Sequence, residues 1–258
     1  MNNDTQITAI NRVPHIILLY WVIKIASTTL GETGADMFSM TYEMGYGDTI
    51  LLFLGLFVVM LGIKLGMKRY EPITYWLVFT STAIAGTAIS DFIDRTLGMG
   101  YAAGSAMLIT LLLVILLLWH AKEKSINVEQ ITTTPAEIYY WLAFLVANTL
   151  GTAAGDFVAD QLELGFAVGA MLFTGSLVLI ALLHFFTKTS GVLLFWLAFV
   201  LTRPFGATFG DWLTKPLASG GLNLGTEGAS LFFMVVLVLA VARETRLERS
   251  GRAIPEMD

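Results

Sequence analysis

A tryptophan, a glycine ten residues later and an aspartate fifteen residues later recur four times along this chain: Trp21, Gly31 and Asp36; Trp76, Gly86 and Asp91; Trp141, Gly151 and Asp156; Trp196, Gly206 and Asp211. An aromatic residue precedes each tryptophan, as Tyr20, Tyr75, Tyr140 and Phe195. Offsets kept through four copies mark a tandem repeat, which commits the chain to one supersecondary unit stacked against copies of itself. The tryptophans lie 55, 65 and 55 residues apart, so the copies read as two closely joined pairs. The longer spacing falls in a polar connector at about residues 121–137. The repeats then span about 14–70, 71–125, 135–190 and 191–246, within a single membrane domain of 1–258 that ends in a cytoplasmic tail at 247–258.

The apolar blocks say what the unit is. Each copy has one stretch from the tryptophan to about the aspartate, a glycine-containing turn, and an almost wholly apolar return stretch. The return stretches lie at about 47–67, 100–120, 166–186 and 227–243. Roughly 18 or more apolar residues are what a helix needs to cross a bilayer core of about 30 Å. Composition agrees: 56% of residues are hydrophobic and 14% charged, where a soluble domain carries about a quarter charged residues. Mean hydropathy is +0.73, and the alternating segments of about ten residues that mark a β-barrel are absent. The expected fold is an all-α integral membrane protein. Its eight transmembrane helices form four parallel two-helix repeats with pseudo-symmetry about the membrane normal. A four-fold arrangement and a nested two-fold pairing both fit the spacing. The absence of cysteine excludes disulfides, thiolate metal sites and cysteine nucleophiles. The first stretch carries Lys24, Glu32 and Asp36, which reads as a retained helix rather than a cleaved signal.

Short-loop Lys and Arg residues set the expected orientation. One side collects eleven of them: Arg12, Lys64, Lys68, Arg69, Lys122, Lys124, Lys188, Arg243, Arg246, Arg249 and Arg252. The other has only Arg95 and Lys215, among Glu43, Asp94, Asp160 and Glu163. The first side is therefore expected to be cytoplasmic, with both termini inside. The tryptophans are expected in its interfacial belt, and the arginine-rich end of the chain at lipid headgroups.

The aspartates lie about 22 Å along the helix from the tryptophans, deep in the membrane. Residues four apart share a helix face. Stepping back from each aspartate by fours gives Lys24, Thr28, Glu32 and Asp36; Phe79, Ala83, Thr87 and Asp91; Phe144, Asn148, Thr152 and Asp156; and Phe199, Arg203, Ala207 and Asp211. The most polar residues of all four odd-numbered helices thus fall on one stripe. An ionisable group in hydrocarbon costs about 2.5–3.5 kcal/mol or more, so these residues must face the bundle interior, pair with one another or line a wet cavity. Lys24 and Arg203 are the expected internal counter-charges to Glu32 and the aspartates. Alternatively, the aspartates cap the return turns by accepting backbone N–H groups. That role explains an aspartate in every copy, but not the single-copy Lys24, Glu32 and Arg203.

The glycines, in patterns such as Gly151 to Gly155 and Gly206 to Gly210, fit close helix packing, and Pro204 is expected to kink its helix. Asp48 and Glu227 read as solvated residues at helix starts. His15, His120 and His184 fall near the cytoplasmic ends, far from the aspartates. No phosphate-binding glycine loop, Ser-His-Asp order or HExxH appears, so no enzyme motif stands behind the chain.

The four-fold Trp-Gly-Asp pattern, carried here by Trp21, Trp76, Trp141 and Trp196, resembles a bacterial membrane-protein family defined by a tandem repeat of unknown function. Its members are labelled uncharacterised membrane-anchored proteins. The resemblance covers about Pro14 to Arg243 and implies the two-helix unit and a bacterial inner (cytoplasmic) membrane, but no substrate. From the residues, the expected function is transport of a small inorganic cation, linked to protons. Glu32, Asp36, Asp91, Asp156 and Asp211 are the candidate metal or ion ligands. Thr28, Thr87, Asn148 and Thr152 complete the pathway, and Lys24 and Arg203 are its counter-charges. Five acids against two bases motivate this reading. A passive cation-selective channel along the repeat axis, a non-transport structural or interaction protein, and recruitment of anionic organic substrates by Lys24 and Arg203 stay open. The expected partners are the lipid bilayer and a small cation or proton, with no nucleic acid, no cofactor beyond a bound cation, and an open oligomeric state.

Overall fold

The computed structural model describes residues 11–128 and 131–250, so the tail beyond 250, including Arg252, lies outside the described residues. Eight long helices follow in order: α1 Leu18–Asp36, α2 Gly45–Met67, α3 Pro72–Asp91, α4 Tyr101–Glu123, α5 Thr134–Asp156, α6 Gly165–Phe186, α7 Gly191–Thr214 and α8 Thr226–Arg249. No strand occurs among the described residues. Seven of the eight are long and apolar enough to cross a membrane; α1, which carries Lys24 and Glu32 among its serine and threonines, is the exception. The return helices begin within about two residues of their expected positions. α8 runs on to Arg249, past the expected end at about 243 and into the expected tail, with Glu244 buried in it.

Local sequence explains the helix starts. Glu71 caps α3 by accepting from the backbone N–H of Ile73 and Thr74 ahead of Pro72, and Thr133 caps α5 by accepting from Ala136 N. Both place a proline in the first turn, where its missing N–H costs nothing. Gly100 and Gly225 precede α4 and α8 with φ of 72° and 74°, a conformation that strains any residue with a Cβ.

The odd-numbered helices form a closed inner ring, in which α1 packs on α3, α3 on α5, α5 on α7, and α7 back on α1. Each return helix covers the odd helix of the following repeat: α2 lies on α3, α4 on α5, α6 on α7, and α8 on α1. The division follows composition. Of their apolar windows, α3, α5 and α7 bury 61–72%, whereas the leucine-rich α2, α4, α6 and α8 bury 17–22%. Two of the repeat tryptophans are covered by protein. Trp76 and Trp141 are 2% and 1% exposed, because neighbouring helices cover them, and Trp76 Nε1 donates to Glu244 Oε2 at 2.7 Å. Arg12 and Lys64 also face inward, both paired with the buried Glu137 at 2.8 and 3.0 Å. α7 continues as one helix through Pro204.

The repeat glycines make the four ring crossings. A Cβ on Gly31 would lie 2.6 Å from Ala83 Cβ, on Gly86 3.0 Å from Asn148 Cβ, on Gly151 2.4 Å from Arg203 Cβ, and on Gly206 3.0 Å from Thr28 Cβ. Each glycine thus meets the residue eight before the aspartate on the next ring helix. Small residues at such crossings let backbones approach where no water-driven collapse is available. Gly151→Ala is expected to destabilise the protein by about 1–3 kcal/mol through overpacking. Gly175→Ala, on α6 with open space around it, should be neutral or slightly stabilising. Thermal unfolding of both variants in detergent checks the contrast.

Candidate functional site

Because the ring helices run side by side, residues at the same offset from the aspartate meet around the bundle axis and form layers of four. The stripe residues are all buried: Lys24, Thr28, Thr87 and Thr152 are 0% exposed, Arg203 and Asn148 1%, and Glu32 and the four aspartates 2–3%.

Arg203 ties the ring together. Its Nη1 donates to the backbone oxygen of Thr28 on α1 at 2.9 Å. Its Nη2 donates to Glu32 Oε2 at 3.2 Å, to Thr152 Oγ1 on α5 at 2.8 Å, and to Thr87 Oγ1 on α3. One guanidinium therefore reaches the other three inner helices from the fourth. Thr87 and Thr152 hydroxyls also lie 3.3 and 3.4 Å from Glu32 Oε2. Thr28 and Asn148 belong to the stripe but turn aside from Glu32. Thr28 Oγ1 donates to Ile25 O at 3.1 Å, and Asn148 Nδ2 donates to Thr82 Oγ1 at 2.9 Å.

The aspartates are answered by bases other than the two expected. Arg95 Nε lies 3.1 Å from Asp91 Oδ1, and its Nη2 lies 3.0 Å from Asp156 Oδ2. Lys215 Nζ lies 2.6 Å from Asp36 Oδ2 and 3.2 Å from Asp211 Oδ1, the latter at ion-pair distance without hydrogen-bond geometry. Burial works against the charge of Lys215, yet Asp211 and Asp36 outweigh it and raise its pKa above the ordinary lysine value. Both bases sit four residues after an aspartate, so they continue the stripe one step forward, a step that backward counting left out. The turn-cap alternative does not hold either. Asp36, Asp91 and Asp156 make no cap hydrogen bond, and their helices pass straight into a wider turn closed by Tyr42 N to Met37 O, Leu97 N to Phe92 O and Leu162 N to Phe157 O.

Lys24 is no counter-charge. Among the described residues its Nζ has no hydrogen-bond partner; it lies 3.5 Å from the centre of the Phe199 ring and 5.1 Å from that of Phe79. A desolvated cation over aromatic faces gains roughly 2 kcal/mol, less than the several kcal/mol that removing an ammonium from water costs. The rings leave its charge incompletely answered. Phe79, Phe144 and Phe199 complete this layer, with Phe144 and Phe199 centroids 4.0 Å apart. One step beyond, the buried Tyr20, Tyr75, Tyr140 and Phe195 make a further layer, in which the Tyr75 and Tyr140 hydroxyls share a hydrogen bond. Phe79, Phe144 and Phe199 are stripe residues, and Tyr20, Tyr75, Tyr140 and Phe195 continue the same four-residue spacing one step further.

Single oxygens of Glu32, Asp36 and Asp211 lie within 4.8 Å of one another, so these three are the acids that could share one ion. Asp91 and Asp156 form a separate pair around Arg95. Beside the aspartate layer a cleft of about 410 Å³ opens, lined in part by Arg95, Lys215, Asp160 and Glu163. Side chains of Arg95 and Lys215 are 35% and 23% exposed, so both bases reach from buried carboxylates toward the open side. Asp48 and Glu227 are exposed in the first turns of α2 and α8, and all three histidines are exposed.

Removing one member of a buried pair strands the other. Arg203→Met should destabilise the protein by about 3–5 kcal/mol. Adding Glu32→Gln should recover part of that loss, because no uncompensated carboxylate remains. Thermal unfolding of the two single variants and the double variant gives the coupling; simple additivity would mean the two side chains do not interact.

A family model described as Repeat of Unknown Function (DUF347) matches residues 19–70, 74–125, 139–190 and 194–250. No curated protein and no solved structure matches the chain. Each matched segment opens two residues before a repeat tryptophan and runs through its return helix, so the matched unit is the hairpin whose copies close the inner ring. Matched over most of its length in four consecutive copies, this chain belongs to the family built from that repeat of unknown function.

Proposed function

We propose that the protein is a multi-pass carrier of a bacterial inner membrane that moves a small inorganic cation in exchange for, or in competition with, protons. Its four hairpins would be related by pseudo-symmetry about the membrane normal. The observation that carries the reading is Lys215: an ammonium held at 2.6 and 3.2 Å between Asp36 and Asp211, at a point where Glu32 also contributes an oxygen. The chain thereby supplies its own cation to an oxygen-rich site that suits hard ions. A lysine on the cleft side of that site can give way to an incoming ion, which a fully enclosed base could not do. With Arg95 and Lys215 included, five acids face four bases on the axis, so one negative charge is left over that favours a bound cation.

A carrier fits better than an open channel. The aromatic layers around Phe144, Phe199, Tyr75 and Tyr140 fill the axis on the side away from the cleft. The membrane reading rests on the seven apolar helices and on the leucine-rich return helices, whose large side chains, such as Leu51, Leu117 and Leu239, are 66–73% exposed. The lysine and arginine excess at the opposite end supports a cytoplasmic position for that end and for both described termini.

Flux in proteoliposomes tests this. Uptake of Mn²⁺, Mg²⁺, Na⁺ or K⁺ by the wild type is expected to fall at least about tenfold in the Glu32→Gln, Asp36→Asn double variant, since each carboxylate supplies charge as well as an oxygen ligand. A double variant that transports normally would remove the site from the pathway.

A further inference from the structure

We infer that Lys24 is the protein's exchangeable proton site, separate from the carboxylates that would bind the cation. The inference rests on the cation-carrier reading and names where its linked proton resides.

Four bases lie on the axis, and three of them are held by carboxylates: Arg203 by Glu32, Arg95 by Asp91 and Asp156, and Lys215 by Asp36 and Asp211. A proton on any of those three is held by an ion pair. Lys24 differs. It is 0% exposed, has no hydrogen-bond partner among the described residues, and rests only on the Phe199 and Phe79 faces. Buried titratable or charged groups lie on α1 itself, on α3, α7 and α8 packed against it, and on α5 across the ring. Tyr20 lies one turn before it and Glu32 two turns after it on α1. α3 contributes Tyr75, α5 Tyr140, α7 Arg203 and α8 Glu244. The nearest carboxylate along α1, Glu32, is bonded to Arg203, and Glu244 is engaged by Tyr70 and Trp76. The two tyrosine hydroxyls of α3 and α5 bond each other. Arg203, on the next layer, repels a charged Lys24. The amine form has less to lose here than at any other base on the axis.

Position then links the two sites. Lys24 and Glu32 are eight residues apart on α1, about 12 Å. At an effective dielectric of roughly 20, unit charges at that separation alter each other's binding about tenfold. A cation arriving at Glu32, Asp36 and Asp211 therefore favours loss of the Lys24 proton, and protonated Lys24 weakens the cation. The balance is one ammonium converted to one amine, with the proton passing to solvent and the cation's positive charge taking its place. The sign is fixed: apparent cation affinity rises with pH as Lys24 gives up its proton, then levels off. This exchange involves no competition for the same oxygens.

The test is proton release measured with an indicator dye while Mn²⁺, Mg²⁺, Na⁺ and K⁺ are each titrated into purified protein in weakly buffered detergent. For an ion that binds, this coupling should release at most about half a proton per monovalent cation and about 0.8 per divalent one. Lys24→Met should bind that ion about tenfold more tightly at the acidic end of the range, with affinity flat against pH and no proton released. Lys24→Arg, which keeps the charge and cannot shed it, should bind weakly at every pH, again without release. A folded variant of either kind that still releases a proton overturns the assignment. Binding by wild type without release also overturns it while leaving the carrier reading intact. Failure of wild type to bind any of the four ions removes the carrier reading and this inference together. If both variants fail to fold, the side-chain nitrogen resonance of Lys24 in ¹⁵N-lysine-labelled wild type decides. Conversion from ammonium to amine on adding the ion supports the inference, and an unchanged resonance rejects it.

Discussion

The guanidinium of Arg203 sits where four helices meet, and much of the inner ring is shaped by the need to answer its charge without water. Taking such a group out of solvent costs several kcal/mol even after relaxation, so it persists only where donors and charge are both met. Glu32 supplies the charge, Thr87 and Thr152 supply acceptors, and the Thr28 carbonyl takes one more N–H. Space is the other half of the requirement. Gly151 leaves room at the root of the arginine, where a Cβ would meet its Cγ at 2.2 Å. A ring of four helices shares one axial volume per layer, and interiors are packed too closely to hold four long side chains there. This explains why the copies diverge on the stripe. Arg203 shares its layer with the smaller Thr28, Ala83 and Asn148, and Glu32 shares its layer with Thr87, Thr152 and Ala207. The repeat keeps its glycines and aspartates and varies the residues that compete for the centre.

The unit, its four copies, the turn positions and the stripe were all legible in the sequence, since each rests on spacing along one helix. Counting by fours brought Glu32, Thr87, Thr152 and Arg203 together correctly, and these residues do converge. What spacing could not carry was adjacency between helices. Nothing in the local pattern says that α2 covers α3 in place of its own partner α1, or that Trp76 meets Glu244 of α8 and Trp141 meets Tyr75 of α3. Partner choice failed for a related reason. Lys24 and Arg203 were natural counter-charges because they were the only bases among the stripe residues counted. Yet Arg95 and Lys215, assigned to the loops, reach back from the following turn and take all four aspartates. Glu244 and Glu137 had no signal, because their partners are remote in sequence: Trp76 is 168 residues from Glu244, and Arg12 and Lys64 are 125 and 73 residues from Glu137.

Arg95 and Lys215 also change what the aspartate layer is. Four buried carboxylates with no base among them would repel one another strongly enough to hold protons or demand metal. Two bases, each spanning a pair, cut each pair from two negative charges to one: Asp91 with Asp156 around Arg95, and Asp36 with Asp211 around Lys215. They are not equivalent, since Glu32 adds a third carboxylate only beside the second. On the carrier reading this inequality selects the lysine-held pair as the ion site. Lys215 has a flexible stem and a compact charge suited to withdrawal. Arg95, with its Nε on one aspartate and an Nη on the other, resembles a fixed clamp.

The aromatic layers set the remaining constraint on any transport cycle. The cleft gives the acidic end access to solvent, but Phe79, Phe144, Phe199 and the tyrosines fill the other half of the axis. Rotating one ring would not open it, because each ring packs on others from two or three helices. Opening that side means parting the helices, and the helices are held by glycine contacts on the same layer as Arg203. On the carrier reading, a passage through that half would therefore strain the Arg203–Glu32 contacts at the same moment. The carboxylate that holds the arginine when the axis is closed would be freed when it opens. In such a cycle, access and ion affinity change together through a single buried pair.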